Sequence, residues 1–120
     1  MKKILLVTER RADYSRFKEI LKEINNEDTL KYVLVVTGIH LEKSFGKTIN
    51  EIVNDGFKIS YKFKMFDKKY LKKDDIGGMS RALARCFKHL TKIIEIEKPD
   101  FILSGFDIAA NFSLTTIGAH

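Results

Sequence analysis

The stretch Ile4-Leu5-Leu6-Val7 followed by Thr8-Glu9-Arg10-Arg11-Ala12-Asp13-Tyr14-Ser15 joins an apolar run of strand type to a polar loop. The same arrangement returns in Val33-Leu34-Val35-Val36 followed by Thr37-Gly38-Ile39-His40-Leu41. In an open parallel sheet, ligands bind at the carboxyl ends of the strands, in the loops that lead into the helices. Arginine suits phosphate and carboxylate groups because its guanidinium forms paired hydrogen bonds. A loop with two arginines, a carboxylate and a tyrosine therefore indicates a site for a phosphorylated ligand.

Strand and helix patterns alternate along the chain. Repeated strand–helix units favour parallel strands joined by right-handed crossovers. We therefore expect an α/β fold with a Rossmann-like, open and mostly parallel sheet and helices on both faces, formed by a single domain over residues 1–120. From apolar spacing and turn residues, the expected strands are 3–8, 32–37, 58–63 and 100–104. The expected helices are 14–25, 45–54, 79–97 and a last one from 105–107 to 120, and 67–78 is expected to be a charged loop. In the helix 79–97 the spacing favours Leu83, Phe87, Leu90 and Ile94 as the buried face.

Composition and charge exclude several classes of protein. The chain of 120 residues is 44% hydrophobic and 32% charged, which is typical of neither a disordered nor a membrane-embedded protein. The start Met1-Lys2-Lys3-Ile4 has no small-residue cleavage site, so we expect a cytoplasmic protein. A net charge of +6 raises nucleic acid as a partner, but lysines interleaved with acidic residues favour a solvated surface. We therefore expect neither nucleic acid nor a membrane as partner.

Cysteine and histidine usage bears on metals and cofactors. The single cysteine, Cys86, excludes an internal disulfide and a cysteine-rich metal cluster. His40 has no second histidine or carboxylate at ligand spacing, and the Gly-x-Gly-x-x-Gly pattern of dinucleotide sites is missing after the first strand. We expect no metal and no bound cofactor.

Four short motifs follow one another along the chain. They are Arg11-Ala12-Asp13-Tyr14-Ser15, then Thr37-Gly38-Ile39-His40-Leu41, then Phe45-Gly46-Lys47-Thr48 with Ile49, Ile52, Asp55, Gly56 and Phe57, and finally Lys98-Pro99-Asp100 with a strand that ends at Gly105. In this order and spacing they resemble the hydrolysing UDP-N-acetylglucosamine 2-epimerases, the enzymes that begin sialic acid and related nonulosonate pathways. The resemblance covers essentially the whole chain.

The resemblance implies a fold, a reaction and partners. Such enzymes have two Rossmann-like halves in the arrangement called GT-B, with the active site between them, and this chain resembles most of the N-terminal half. They convert UDP-N-acetylglucosamine and water into N-acetylmannosamine and UDP, through loss of the C2 proton and of UDP and then addition of water. The implied partner is a UDP-sugar, the implied full-length protein is a homo-oligomer, and the fragment by itself is expected to be inactive.

The first loop supplies most of the candidate substrate-binding residues. By resemblance, Arg11 contacts the nucleotide, and its position before a helix N-terminus also suits an anion. The alternative is a surface arginine paired with Asp13 or Glu9. Asp13 and Tyr14 contact the ligand, orient Arg11 or cap the helix, since aspartate is a preferred N-cap residue. Ser15 donates to a phosphate or lies in the first turn.

His40 and Asp107 complete the candidate site. His40 either lines the sugar-nucleotide site or is a loop histidine bonded to backbone. Many similar enzymes carry Gly-Asp-Arg after the strand that precedes the last helix, and that acid is a candidate catalytic group. This chain has Gly105-Phe106-Asp107, with the acid one position later. Asp107 is therefore the candidate catalytic residue, and its alternative role is to cap the last helix.

Two other classes of protein remain open at this stage. A GT-B glycosyltransferase would share the sheet and the loops, and the motifs favour the epimerases over it. An acidic cluster after the first strand would favour a non-catalytic flavodoxin-like or nucleotide-binding module. This chain has Glu9-Arg10-Arg11 there, which argues against such a module. Within the epimerases, UDP-diacetylbacillosamine fits as a substrate equally well.

Overall fold

Four parallel strands form one sheet in the part of the chain that the structure describes. The structure is a computed structural model and describes residues 1–71, 75–105 and 109–119. The strands are β1 (Lys2–Thr8), β2 (Leu30–Val36), β3 (Tyr61–Lys62) and β4 (Phe101–Leu103). They lie in the order β3-β2-β1-β4, and every pairing is parallel. The helices are α1 (Arg11–Asn25), α2 (Ile49–Asn54), α3 (Lys68–Leu71), α4 (Gly78–Glu97) and α5 (Ala109–Gly118), and two 3-10 turns span Gly38–Leu41 and Lys43–Phe45.

Alternate residues of the two central strands face opposite layers of helices. Side chains of β1 and β2 such as Leu5 and Val35 pack in one core cluster with Cys86 and Leu90 of α4 and Leu114 of α5. Their neighbours in sequence pack in a second cluster with residues of α1 and α2, among them Leu6, Leu34, Phe17, Leu21 and Ile52. Because both faces of the sheet are covered, β1 and β2 read as nearly continuous apolar runs. The expected Rossmann-like α/β fold is confirmed.

The first helix and the third strand differ from their expected bounds. Helix α1 begins at Arg11, three residues before the predicted start, and Arg10 is its N-cap. Strand β3 pairs only over Tyr61–Lys62 and lies at the edge of the sheet, where pairing on one side alone supports a short strand. The stretch expected to be a charged loop contains the short helix α3.

The buried face of α4 is rotated from the predicted one. The sequence spacing favoured Leu83, Phe87, Leu90 and Ile94, whereas the buried residues include Ala82, Cys86, Leu90 and Ile93. Small side chains face the sheet because α4 packs closely against it, and the larger ones flank the contact. Cys86 on this face is a buried, free thiol.

Candidate functional site

The polar loops meet at the carboxyl edge of the sheet. Strands β2 and β3 lie on one side of β1, and β4 lies on the other. The direction of winding therefore reverses between β1 and β4, which is where open α/β sheets form a ligand crevice. The loops that follow β1 and β2 meet at this edge, and the start of α5 contacts the first of them through Ala110 and Glu9. These two loops are the ones singled out by sequence.

Asp13 is fully buried and organises the first loop. Its Oδ2 accepts hydrogen bonds from the backbone N–H groups of Glu9 at 3.3 Å and Arg10 at 3.1 Å, and its Oδ1 accepts one from the Arg10 guanidinium at 3.1 Å. Asp13 therefore stabilises the helix start from the third helical position instead of acting as the N-cap residue. It holds Arg10, not Arg11. The Arg10 Nε is buried without a hydrogen-bond partner among the described residues.

Arg11 and Ser15 lie on the exposed side of the same loop. The Arg11 side chain is 71% exposed, and its guanidinium contacts Glu51 of α2 at 3.1 Å. The partner is thus neither Asp13 nor Glu9, the two carboxylates considered from sequence. An exposed ion pair of this kind contributes little to stability, so the guanidinium can exchange it for a ligand anion. The Ser15 hydroxyl donates to the backbone oxygen of Ala12 at 3.1 Å.

Tyr14 is buried between α1 and α2. Its ring meets the edges of Phe57 and His40, and its hydroxyl donates to the carboxylate of Asp55, the C-cap residue of α2. Burial and the bond to Asp55 raise the pKa of Tyr14. The bonds from Tyr14 and Lys18 lower the pKa of Asp55. Tyr14 therefore links the first loop to α2 as a neutral donor.

His40 joins three segments from a fully buried position. Its Nε2 lies 2.9 Å from the Thr8 hydroxyl at the end of β1, and its Nδ1 lies 2.8 Å from the Thr48 hydroxyl at the start of α2. Each hydroxyl can donate or accept, so a neutral imidazole satisfies both contacts. Burial lowers the pKa of His40 and favours that neutral form. A hydrogen bond with the Arg10 backbone opposes this lowering, so His40 has the backbone contact considered from sequence as well as the contacts with two hydroxyl groups.

Glu9 and Asn111 also make buried contacts at this edge, and the sequence patterns assigned neither of them a role. Glu9 is 5% exposed, and its carboxylate accepts the backbone N–H of Ala110 at the start of α5, at 2.7 Å. The amide of Asn111, which is fully buried, donates to the backbone oxygen of Val7 at 3.2 Å. Each contact spans more than 100 residues of sequence, so spacing gives no signal for it. The presence of Glu9 in the first loop was the only available hint.

A lysine-lined cavity lies beside the second loop. It has a volume of about 900 Å³ between the 3-10 turns that follow β2 and the segment from β3 to α3. Five lysines contribute to its lining: Lys43, Lys47, Lys62, Lys64 and Lys68. Glu42 also lines it, and its Oε2 is buried with no hydrogen-bond partner in the ranges that the structure describes. The interleaved charges of the sequence favour a solvated surface for the lysines, whereas the fold gathers these five around one concave and basic cavity.

Asp107 lies in 106–108, outside the described residues. The described ranges contain no group of three histidine, cysteine or carboxylate side chains placed to hold a metal ion. No helix in those ranges combines the length and the apolar character that a membrane crossing requires.

Comparison with known proteins identifies relatives of one kind. No family model matches the chain. It is 32% identical over 103 residues to a UDP-N,N'-diacetylbacillosamine 2-epimerase (hydrolyzing) from Legionella pneumophila, covering 86% of this chain and 26% of the relative. It is 27% identical over 121 aligned positions to a UDP-N-acetylglucosamine 2-epimerase from Neisseria meningitidis, covering 99% of this chain and 30% of the relative. The chain thus spans between a quarter and a third of the length of these relatives.

Solved structures show the same fold. The chain superimposes on the UDP-GlcNAc 2-epimerase from Neisseria meningitidis bound to UDP-GlcNAc with a TM-score of 0.73 at 18% identity, covering 95% of this chain and 28% of that one. It superimposes on the S. aureus protein MnaA bound to UDP with a TM-score of 0.69 at 22% identity, covering 97% and 26%. The sheet, the helices on both of its faces and these superpositions define a Rossmann-like α/β unit. More particularly, the chain belongs to the UDP-N-acetylglucosamine 2-epimerase family, as a part of the family's length.

Proposed function

We propose that the chain is the N-terminal part of a hydrolysing UDP-N-acetylglucosamine 2-epimerase and that the carboxyl edge of its sheet binds the UDP-sugar. The observation that carries the proposal is the exposed Arg11 guanidinium at the end of β1, in a chain whose relatives are named as UDP-sugar 2-epimerases. The basic cavity beside the second loop supports the same class of ligand, because a nucleoside diphosphate carries several negative charges.

The reaction converts UDP-N-acetylglucosamine and water into N-acetylmannosamine and UDP. A base removes the proton at C2, the C1–O bond to UDP breaks with its electron pair leaving on the phosphate oxygen, and a glycal forms. Water then adds to the glycal, its hydroxyl at C1 and a proton at C2 on the opposite face. Such a sequence needs an acid–base group near C2 and positive charge around the departing diphosphate.

The residues of this chain divide into two roles in the proposal. Arg11 contacts the diphosphate, and the Ser15 hydroxyl, one helical turn after Arg11 on α1, assists it. Asp13, Tyr14 and His40 bind the ligand less directly, since each is buried and fixes the loops from which Arg11 projects. This organisation is consistent with electrostatic catalysis, which depends on donors that are already in place. Asp107 is proposed as the acid–base group at C2.

The other parts of the proposal concern the longer protein. A second Rossmann-like half would complete a GT-B arrangement, and residues 1–120 would be inactive without it. We further propose a cytoplasmic homo-oligomer that uses neither nucleic acid nor a membrane as partner.

A second substrate is favoured by one specific observation. The relative that is 32% identical is named for UDP-N,N'-diacetylbacillosamine, whereas the one named for UDP-N-acetylglucosamine is 27% identical. Both substrates present the same diphosphate to Arg11, so the choice between them depends on contacts with the sugar at C4 and C6. Parallel assays with the two UDP-sugars distinguish the candidates.

Activity is tested on the product of the complete reading frame. The encoding DNA is read beyond codon 120, and the whole product is incubated with each UDP-sugar in D2O while proton NMR follows the products. The proposal expects free UDP and a 2-epimerised sugar that carries deuterium at C2. Release of the sugar without a change of configuration at C2, or transfer of the sugar to an added acceptor, would contradict it.

Binding is tested with the chain itself. Saturation-transfer NMR with UDP compares the wild type with Arg11→Ala, and Lys22→Ala is the matched control because Lys22 is an exposed cation on the same helix. Loss of one charge-assisted contact is expected to weaken UDP binding about 10-fold in Arg11→Ala and to leave Lys22→Ala unchanged. Equal affinity of the two variants would remove Arg11 from the site.

A further inference from the structure

We propose that Glu9 is a positioning residue that holds the loops after β1 and β2 and the start of α5 in one fixed arrangement at the carboxyl edge of the sheet, through contacts of its backbone and its carboxylate. The inference rests on the proposed function where it concerns catalysis. Its structural part, the placing of these three segments by one residue, stands on the contacts alone.

Three different segments meet at Glu9. Its backbone oxygen accepts the N–H of Ile39 in the second loop at 2.9 Å. Its carboxylate Oε1 accepts the N–H of Ala110 in the first turn of α5 at 2.7 Å. Its own N–H donates to the carboxylate of Asp13 in the first loop at 3.3 Å. A single residue thus connects the segments that follow three neighbouring strands.

A second contact supports the one to α5. The side-chain amide of Asn111 donates to the backbone oxygen of Val7, two residues before Glu9. The first turn of α5 is therefore tied to the end of β1 by two hydrogen bonds that α5 donates, one from the Ala110 N–H to the Glu9 carboxylate and one from the Asn111 amide to the Val7 backbone oxygen. Two such bonds from adjacent helix residues fix both the distance and the rotation of α5 relative to β1. The crevice between β1 and β4 is the space that this arrangement controls.

The carboxylate of Glu9 acts by its shape more than by its charge. Burial raises the pKa of this carboxyl group, and the Ala110 N–H opposes that effect without cancelling it. Either protonation state, and equally the carbonyl of a glutamine, presents an oxygen to the Ala110 N–H. A positioning role consequently predicts that Glu9→Gln keeps the arrangement and that Glu9→Ala loses it. An acid–base role would predict that both substitutions are equally damaging.

The test reads the contact and the activity separately. Amide hydrogen exchange at Ala110 is measured in the wild type, Glu9→Gln and Glu9→Ala, with the exposed Glu23→Ala as the matched control. We expect Ala110 exchange in Glu9→Ala to be faster by about 10-fold or more relative to the other three proteins, because its N–H has lost its acceptor. Unchanged exchange of Ala110 in Glu9→Ala would overturn the proposal, whatever the protein's activity.

The activity of the complete gene product then tests the consequence. Misplacement of the loops is expected to lower kcat about 100-fold in Glu9→Ala, to change KM little, and to spare Glu9→Gln and Glu23→Ala. Loss of kcat in Glu9→Gln together with loss of one limb of the pH profile would overturn the positioning role in favour of a catalytic one. If Glu9→Ala does not fold, the test rests on Glu9→Gln. A Glu9→Gln protein with both the wild-type kcat and the wild-type exchange rate at Ala110 supports the proposal, and a change in either quantity contradicts it. A wild type that is not an epimerase refutes the proposed function, and the exchange measurement still decides the role of Glu9 in the loops.

Discussion

Substitution of Gly38 by alanine tests how closely the first two loops approach each other. Gly38 has φ of +67°, in the left-handed region, and begins the 3-10 turn that contains His40. A Cβ at this position would lie 2.5 Å from the Glu9 Cβ and 2.7 Å from the Glu9 backbone oxygen. Neither atom can withdraw easily, because the same oxygen accepts the Ile39 N–H and the Glu9 side chain reaches α5. The loops must therefore separate.

The expected loss of stability has two sources. A non-glycine residue in the left-handed region costs about 1–2 kcal/mol, and forcing an extra methyl group into a packed place costs about 1–3 kcal/mol. Alanine also restricts the unfolded chain, and this effect offsets about 0.4–1 kcal/mol of the lost stability. The free energy of unfolding should fall by about 2–4 kcal/mol in Gly38→Ala.

Gly46 supplies the matched control. It has φ of +80°, and a Cβ there would meet no atom within 4 Å. Gly46→Ala therefore carries the backbone cost without the clash, and should lose about 1 kcal/mol or less. Equilibrium unfolding in urea, analysed with a common m value, measures both. A difference between the two variants below about 0.5 kcal/mol would refute the close approach of Gly38 and Glu9.

Three further predictions concern titratable groups. Burial lowers the pKa of His40 below its ordinary 6.5. The unfolded chain therefore takes up a proton at higher pH than the folded chain, so the stabilisation from neutral His40 is present above about pH 6.5 and is lost at lower pH. The fall in unfolding free energy from about pH 7.5 to about pH 5.5 should be smaller in His40→Asn than in the wild type, and an equal fall would contradict this prediction. In Tyr14→Phe the pKa of Asp55, measured by carboxyl NMR titration, should rise toward its ordinary value because one of its two hydrogen-bond donors is gone; no change would exclude the contact. Cys86 is fully buried, and burial raises its pKa to about 12. A thiol-specific disulfide reagent should therefore label Cys86 only as fast as the chain unfolds. Rapid labelling under native conditions would show that α4 is packed differently.

The fold was largely predictable because its signals are local. The apolar runs in β1 and β2 mark strands that are buried on both faces, and helical spacing marks α1 and α4. What spacing could not give was the start of α1, since the carboxylate that stabilises it is Asp13 inside the helix and not a residue before it. The face of α4 was also misplaced, because the helix buries Ala82 and Cys86 where the sequence favoured the larger Leu83 and Phe87.

The meeting of the first two loops was predictable from the sequence, whereas the individual contacts between them were not. The rule that ligands bind at the carboxyl ends of parallel strands placed the first two loops together, and the contacts of His40 with Thr8 and Thr48 show that they meet. The identity of the partners depends on contacts between distant segments. Arg11 with Glu51 and Glu9 with Ala110 are such pairs, and a single sequence contains no record of them.

The burial of the motif residues separates two ways in which a substitution can impair this site. Asp13, Tyr14 and His40 are buried and bonded to other parts of the loops, so removing any of them leaves a polar partner without its bond and costs stability. Arg11 is mostly in solvent and holds one exposed ion pair, so its removal should leave the unfolding free energy nearly unchanged. We expect Arg11→Ala to lose UDP binding at wild-type stability, and His40→Ala to lose both UDP binding and stability. This difference would distinguish Arg11, which contacts the ligand, from His40, which holds the loops in place. Equal destabilisation of the two variants would show instead that Arg11 belongs to the same buried framework.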